Sequence, residues 1–389
     1  MSERSEQHNP SPQPPAPSPG FPGSLFLMSG GGTGGHVIPA LSVARELRRR
    51  GHSVFFAGTA KGIESKLVPI AGFDLKLIDI GGLNRVSMRR KVATLTRLPF
   101  AAAHCVRLLR GVSAVFSMGG YVAGPPVMAA LFARVPIVVM EPNAVPGFTN
   151  RIIARFIYRA LVSFPETARY FPTGKTEITG LPVREEFFSI PPKPPGSPVT
   201  LLITGGSQGS RTLNRAARES WPLFARSAAP LRILHQTGAE SFEELRAAFA
   251  QTGLQGEVVP FIQDMAAAFA AADLVVCRSG AGSVSELAAA GKPSVLVPFP
   301  FAADDHQTRN AEVMQRGGAA RLVPDSEMTG EKLFSLVSEL TSAPGALALM
   351  SEAARKFSKP GAARRAADIL EQASSRFLLT AAPGAETIR

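Results

Sequence analysis

The chain has 389 residues, 45% of them hydrophobic and 19% charged, and a formal net charge of +12. It is globular and long enough for two ordinary domains with real cores, and its charge calls for an anionic partner: nucleic acid, acidic lipid or a phosphorylated substrate. The aromatic residues are mostly Phe and form no compact basic-aromatic cluster, so nucleic acid is excluded and lipid or phosphate remains.

In chain order, residues 1–22 carry no signal peptide and become Pro/Ser-rich, which predicts a disordered tail. The apolar run Leu25–Met28 predicts a strand and Pro39–Arg49 a helix; between them lies Gly30-Gly31-Gly32-Thr33-Gly34-Gly35-His36. Strands are predicted at Ser53–Ala57 and Leu75–Ile80, and a helix over Val92–Leu109. A strand at Ala114–Ser117, a helix at Pro126–Phe132, a strand at Ile137–Met140, a helix at Asn150–Ile157 and an extended run at Ala160–Ser163 follow. Residues Gly111–Ala133 are uncharged and long enough to span a bilayer, but Gly119-Gly120, Gly124 and Pro125-Pro126 break them into a strand, a loop and a helix.

The proline-rich stretch 191–198 is a stiff hinge between a first domain, 23–190, and a second, 199–358. The pattern then restarts with a strand at Val199–Ile203, the turn Gly205-Gly206-Ser207-Gln208-Gly209 and a helix at Leu213–Phe224. Strands follow at Leu231–His235, Val258–Phe261, Leu274–Cys277 and Ser294–Pro298. Helices fall at Phe242–Phe249, Met265–Ala271 and Ser283–Ala290. This alternation predicts an α/β protein of two Rossmann-like domains, each with a parallel sheet, whose glycine turns aim at a central cleft. The last segment, 359–389, is a basic and then apolar helix whose role is open, with packing back onto the first domain as one option. Cys105 and Cys277 sit in apolar patterns with no CxxC, so they read as buried thiols and build no zinc site.

Both glycine turns lie between a strand and a helix, where backbone N–H groups and the helix terminus favour an anion. Gly30, Gly32 and Gly35 satisfy GxGxxG, but the second strand ends Phe56-Ala57-Gly58-Thr59 with no acid to hold a ribose. The next acid is Glu64, beyond a loop, so a dinucleotide is set aside. A P-loop ending at Gly174-Lys175-Thr176 fails because Arg169 stands where its first glycine belongs.

Seven stretches then occur in one order: GGTGGHVIPAL (Gly31–Leu41), MGGYVAGP (Met118–Pro125), EPNAVPGFTN (Glu141–Asn150), GLPVR (Gly180–Arg184), GGSQGS (Gly205–Ser210), the run from Asp264 to Pro300, and DDHQTRNA (Asp304–Ala311). With them the chain resembles the peptidoglycan N-acetylglucosaminyltransferases that convert lipid I to lipid II, from Ser24 to about Pro360. The resemblance implies a GT-B fold, UDP-N-acetylglucosamine (UDP-GlcNAc) as donor and undecaprenyl-diphospho-muramoyl-pentapeptide (lipid I) as acceptor. It further implies inversion at the anomeric carbon, no cofactor and no required metal, and a peripheral place on the cytoplasmic face of the bacterial inner membrane. Other readings are another GT-B enzyme, such as a glycolipid glycosyltransferase or a UDP-GlcNAc epimerase, and a non-catalytic UDP-sugar-binding protein. The matched segments Gly119–Gly124 and Glu141–Asn150 oppose the first two, and the intact first-domain glycines with His36 oppose the last.

By the same resemblance the Ser207 loop holds the UDP diphosphate, and Glu286 accepts the uridine ribose hydroxyls, although Ser283-x-x-Glu286 also reads as a capping box. Ala281, Gly282, Ser283, Val284 and Ser285 line the donor loop. Ile262 offers its backbone to uracil, and Gln307 meets the sugar hydroxyls. An extra residue in Phe299–Asp304 relative to some relatives leaves that loop's conformation open. Arg184 matches a donor-binding arginine or is a surface ion pair. Asn143, Thr33, Gly34 and Gly35 contact the donor from the first domain; Gly32 and Tyr121 face the acceptor. His36 is the candidate base for the acceptor hydroxyl, with phosphate binding or packing as its other readings and Glu141 as the other base. Arg85, Arg89, Arg90, Lys91 and Arg97, interleaved with apolar residues and no acid, read as an anionic-membrane patch or as a solvated helix face.

Overall fold

The computed structural model describes residues 23–80, 101–191, 193, 197–227 and 231–381. The first sheet is all parallel in the order β3-β2-β1-β4-β5-β6-β7. Its strands are β1 (Leu25–Ser29), β2 (Ser53–Gly58), β3 (Asp74–Leu77), β4 (Val112–Ser117), β5 (Ile137–Glu141), β6 (Arg159–Val162) and β7 (Thr176–Ile178). Central strands of such a sheet are covered on both faces, which is why β1, β4 and β5 are apolar runs rather than alternating ones.

Alternate residues of β1 feed two cores. Phe26 and Met28 pack with Val37, Ala40, Ala44 and Leu47 of α1 (Gly34–Arg49) and Val68 of α2 (Glu64–Ile70). Leu27 packs on the other face with Cys105 of α3 (described over 101–108) and with Val122 and Val127 of α4 (Gly120–Phe132). The stretch 111–133 is therefore a buried strand, a turn and a helix. Among the described residues no single helix is long and apolar enough to cross a membrane. Helix α5 (Phe148–Ile153) follows β5 and packs beside α4.

The second sheet is also parallel, in the order β10-β9-β8-β11-β12-β13. It contains β8 (Val199–Thr204), β9 (Leu231–Gln236), β10 (Gln255–Val259), β11 (Leu274–Cys277), β12 (Ser294–Leu296) and β13 (Ala320–Leu322). One face is covered by α6 (Arg211–Arg226), α7 (Phe242–Ala250) and α11 (Gly330–Ser342), with Trp221 fully buried. The other is covered by α8 (Met265–Ala271), α9 (Ala281–Ala290) and α10 (His306–Arg316). Ala144, Phe164 and Phe187 of the first half join this last core, so the two halves share packed apolar surface. Met350 and Ala354 of α12 (Ala346–Lys356) complete the two cores of this half.

Helix α13 (Ala362–Ala381) returns to the first sheet, where Ala366, Ile369, Leu370 and Ala373 pack against the β1–α1 core. Arg50 donates to Asp368 (2.7 Å) and Glu371 (2.9 Å), and Glu371 also meets His52 Nε2 at 2.9 Å. Arg365 Nη2 donates to Glu177 at 2.9 Å and holds that carboxyl below its ordinary range.

In both sheets the order reverses between two neighbouring strands: β1 and β4 in the first, β8 and β11 in the second. Ligand crevices of doubly wound sheets form at such reversals, outside the strands' carboxyl ends. The glycine segments Gly30–Gly35, Gly119-Gly120, Gly205–Gly209 and Gly280-Ala281-Gly282 follow β1, β4, β8 and β11 there.

Candidate active site

The turn after β1 enters α1 at Thr33, whose extended backbone (φ −137°, ψ 155°) makes it the residue before the helix. Thr33 and Gly35 are exposed, while Gly32, Gly34 and His36 are half-buried. His36 lies in the first turn of α1, with Nδ1 3.2 Å from the Gly31 carbonyl oxygen. That bond puts the proton on Nδ1 and leaves Nε2 with the lone pair. Burial lowers the His36 pKa, the Gly31 carbonyl opposes this, and His306 of the second half lowers it further. The ring lies against Gly120, the first residue of α4, and the Tyr121 ring lies over Gly32. Thus Gly32, Thr33, Gly34, Gly35, His36 and Tyr121 form one wall.

Glu141 ends β5 and is 2% exposed. Its Oε1 accepts from the Asn143 backbone N–H (3.0 Å) and side-chain amide (3.2 Å); its Oε2 accepts from Gly147 N–H (3.1 Å) and Asn150 (2.8 Å). Burial pushes its carboxyl up while those donors pull it down, with a net rise. Both oxygens are occupied in folding the loop 141–150, so this carboxylate shapes the wall from behind it.

That loop is joined to the second half through Asn310 of α10. Its Oδ1 accepts from Ala144 N–H (3.0 Å); its Nδ2 donates to Asn143 Oδ1 (3.1 Å) and to the Ser279 carbonyl (3.2 Å). Ser279 in turn donates to the Gln307 carbonyl at 2.8 Å. Asn143 and Gln307, predicted from opposite domains, therefore belong to one hydrogen-bonded network.

The turn after β8 is built for close approach. A Cβ on Gly209 (φ +75°) would stand 1.9 Å from the Thr237 carbonyl oxygen, so only glycine fits. Ser207 is exposed at its tip. Ser210 caps α6, accepting from Leu213 N–H at 3.3 Å, and is itself held by Arg278 Nη2 at 2.7 Å. Gln236 ties this turn to the next loop, donating to the Gly206 carbonyl (2.8 Å) while accepting the Ile262 N–H (2.8 Å).

Helix α9 begins after Gly280 without a side-chain cap, which places Ser283 in its first turn and Glu286 on its flank. The capping-box option is thereby not realised. Glu286 is half-buried, and burial pushes its carboxyl up to about 7 against the pull of Arg184. Arg184 itself pairs with Glu186 at 2.8 Å. Ala281, Gly282, Ser283 and Ser285 are half-buried along this helix and Val284 is buried. Gln307 Oε1 accepts from Phe299 N–H at 3.0 Å. The preceding Asp304 and Asp305 both take left-handed conformations (φ 52° and 50°), strain of the kind that collects around functional loops.

Four polar residues of this region were missed by sequence reasoning: Glu64, Gln236, Arg278 and Asn310. Each is polar yet at least half-buried; Arg278 and Asn310 lie inside the stretches Asp264–Pro300 and Asp304–Ala311, while Glu64 and Gln236 lie in none of the seven stretches. Arg85, Arg89, Arg90, Lys91 and Arg97 lie outside the described residues.

Comparison with known proteins gives a consistent picture. Residues 26–162 match the glycosyltransferase family 28 N-terminal domain and residues 200–368 the family 28 C-terminal domain. The UDP-N-acetylglucosamine–N-acetylmuramyl-(pentapeptide) pyrophosphoryl-undecaprenol N-acetylglucosamine transferase of Solibacter usitatus is 72% identical over 89% of this chain and 95% of its own length. The protein of the same name from Azotobacter vinelandii is 44% identical over 89% of this chain and 98% of its own. The crystal structure of Acinetobacter baumannii MurG superposes with a TM-score of 0.76 at 35% identity, covering 90% of this chain and 99% of that one.

Proposed function

The chain belongs to glycosyltransferase family 28, and from that premise we propose that it transfers GlcNAc from UDP-GlcNAc to the 4-hydroxyl of the muramoyl sugar of lipid I, giving lipid II for peptidoglycan synthesis. Beyond the kinship, one observation carries this reading: the Asn143–Asn310 contact, 3.1 Å, holds the acceptor-side wall against the donor-side loops. The two substrates would then meet with their reacting atoms in line.

In this reading the acceptor oxygen attacks the anomeric carbon as the bond to the UDP oxygen breaks, with inversion. The hydroxyl proton passes to His36 Nε2. A half-buried imidazole with a lowered pKa is neutral at working pH, as a base must be. Charge developing on the leaving diphosphate is met by the amides of the Gly205–Gly209 turn and the N-terminus of α6. Glu286 takes the ribose hydroxyls, Gln307 and Asn143 the donor sugar, and Arg184 the donor's charged part. Glu141 positions Asn143 and takes no proton.

The acceptor's polyprenyl tail stays in a bilayer, so the enzyme works at a membrane surface. Supporting this, Phe132 of α4, Phe148 and Ile152 of α5 and Phe156 of the short 3-10 turn that follows α5 (Ala154–Phe156) are 74%, 63%, 54% and 61% exposed, with Arg151 and Arg155 among them. Exposed apolar side chains with arginines beside them suit an anionic leaflet.

The decisive experiment supplies radiolabelled UDP-GlcNAc and a lipid I analogue, with and without EDTA. Labelled product in both is expected. Absence of transfer refutes the reaction, and transfer abolished by EDTA refutes metal-free stabilisation of the leaving group.

A further inference from the structure

We infer that Glu64 is a positioning residue for this reaction, tuning His36 through the one peptide group that joins Gly31 to Gly32; the inference rests on His36 as the base. The carbonyl of that peptide faces His36 Nδ1 at 3.2 Å. The N–H of the same peptide, on Gly32, donates to Glu64 Oε2 at 2.8 Å. Carboxylate, peptide and imidazole therefore stand in one hydrogen-bonded row.

The row has a direction. A carboxylate on the N–H side draws on the proton and shifts electron density toward the carbonyl oxygen, which becomes a better acceptor for the Nδ1 proton. The imidazolium formed when His36 takes the acceptor proton is thereby stabilised, and the ring is held in the tautomer that leaves Nε2 open.

Glu64 is fitted to this task. It is 1% exposed, and its other oxygen accepts from the Thr59 N–H (2.9 Å) and hydroxyl (2.8 Å). A Cβ on Gly31 would stand 2.5 Å from its carboxyl group, so the turn closes onto the carboxylate only with glycine there. Burial pushes this carboxyl up, but the Gly32 and Thr59 donors outweigh burial and keep it ionised. The charged or titratable groups facing His36 are Glu64 from the start of α2 and His306 from the start of α10, with Tyr121 of α4 over Gly32. Glu64 is the one anion among them.

The test uses the full chain labelled with 13C-histidine and 15N-glycine. Glu64→Gln keeps the shape and an acceptor for Gly32 but removes the charge. The His36 NMR midpoint is expected to fall by roughly half a pH unit or more. The turnover rate should drop about three- to tenfold, with the acid limb of the pH profile moving the same way and the KM for UDP-GlcNAc changing less than about twofold. In a His36→Ala background the substitution should cost nothing further. An unchanged His36 midpoint overturns the inference whatever activity does. His36→Ala retaining most turnover overturns instead the base assignment, and the titration still decides the Glu64 link. Should Glu64→Gln fail to fold, the wild-type Gly32 amide decides: it should titrate with the His36 midpoint, and a Gly32 signal that stays still while His36 titrates refutes the relay.

Discussion

Asn310→Ala is the sharpest probe of how the two halves are held in register. The side chain is fully buried and makes three hydrogen bonds of 3.0–3.2 Å, to Ala144, Asn143 and Ser279. Alanine deletes all three. Each is worth about 1 kcal/mol net, and leaving the buried Ala144 N–H without its acceptor adds about 1–3 kcal/mol, so a loss of about 4–6 kcal/mol is expected. Urea unfolding followed by circular dichroism measures it. Because the donor turn lies wholly in the second half, UDP affinity by calorimetry should change less than about threefold while the turnover rate falls at least about tenfold. Asn310→Asp keeps the acceptor for Ala144 but sets a carboxylate oxygen against the oxygens of Asn143 and Ser279. Its pKa is raised in the folded state, so its stability is greatest in acid and is lost as pH rises through that value. Wild-type stability together with wild-type turnover in Asn310→Ala would refute the coupling.

Three further outcomes are expected. Glu286, pushed up to about 7, must ionise to accept a ribose diol fully, so the KM for UDP-GlcNAc should fall as pH rises from below to above 7; Glu286→Gln should flatten that dependence, and a flat wild-type profile sinks the assignment. Leu370→Ala, at a fully buried site on α13, should cost about 2–5 kcal/mol in denaturant unfolding of the first half; an unshifted midpoint would mean that α13 does not dock on the first sheet in solution. Replacing Phe148, Ile152 and Phe156 together by serine should weaken binding to anionic vesicles at least about tenfold, from the apolar area withdrawn; equal sedimentation of variant and wild type removes this face from the membrane.

Central strands were legible because burial on both faces writes them as continuous apolar runs, as at Leu25–Met28 and Leu201–Ile203. Edge strands were not. β10 is exposed over its first three residues, and its one buried side chain, Val258, drew the predicted strand three residues too far along the chain. Helix α2 is short and holds Pro69, so it carries no periodic signal. Helix α4 begins at Gly120, earlier than its prolines indicated, and the Gly120 carbonyl accepts from the Thr149 hydroxyl at 2.9 Å. β13, α11 and α12 lie beyond the last glycine turn and drew no prediction. In the site, the glycine turns were legible as anion-favouring strand-to-helix turns, and the roles of individual residues came from the family resemblance of the stretches that hold them. Glu64 and Asn310 were not legible, since their roles come from partners 32 and 166 residues away.

The two glycine turns look alike in sequence, and hydrogen bonding separates them. In the first, the Gly32 amide already faces an internal anion, Glu64, and the Gly31 carbonyl faces His36. A ligand phosphate placed at that amide would meet a carboxylate, so the turn is closed there to a dinucleotide-type diphosphate on electrostatic grounds. In the second, the internal partners are neutral or cationic: the Gly206 N–H donates to the Thr204 hydroxyl, the Gly206 carbonyl accepts from the Gly209 N–H and from Gln236, and Ser210 accepts from Arg278. Ser207 remains exposed ahead of the α6 N-terminus. One turn therefore holds a base and the other faces a leaving anion. A substitution that removes the charge at the Gly32 amide, Glu64→Gln first among them, should add anion affinity to the first turn as it weakens the base. Phosphate binding at the first turn that is no tighter in Glu64→Gln than in the wild type would show that the turn's preference comes from its shape and not from this charge.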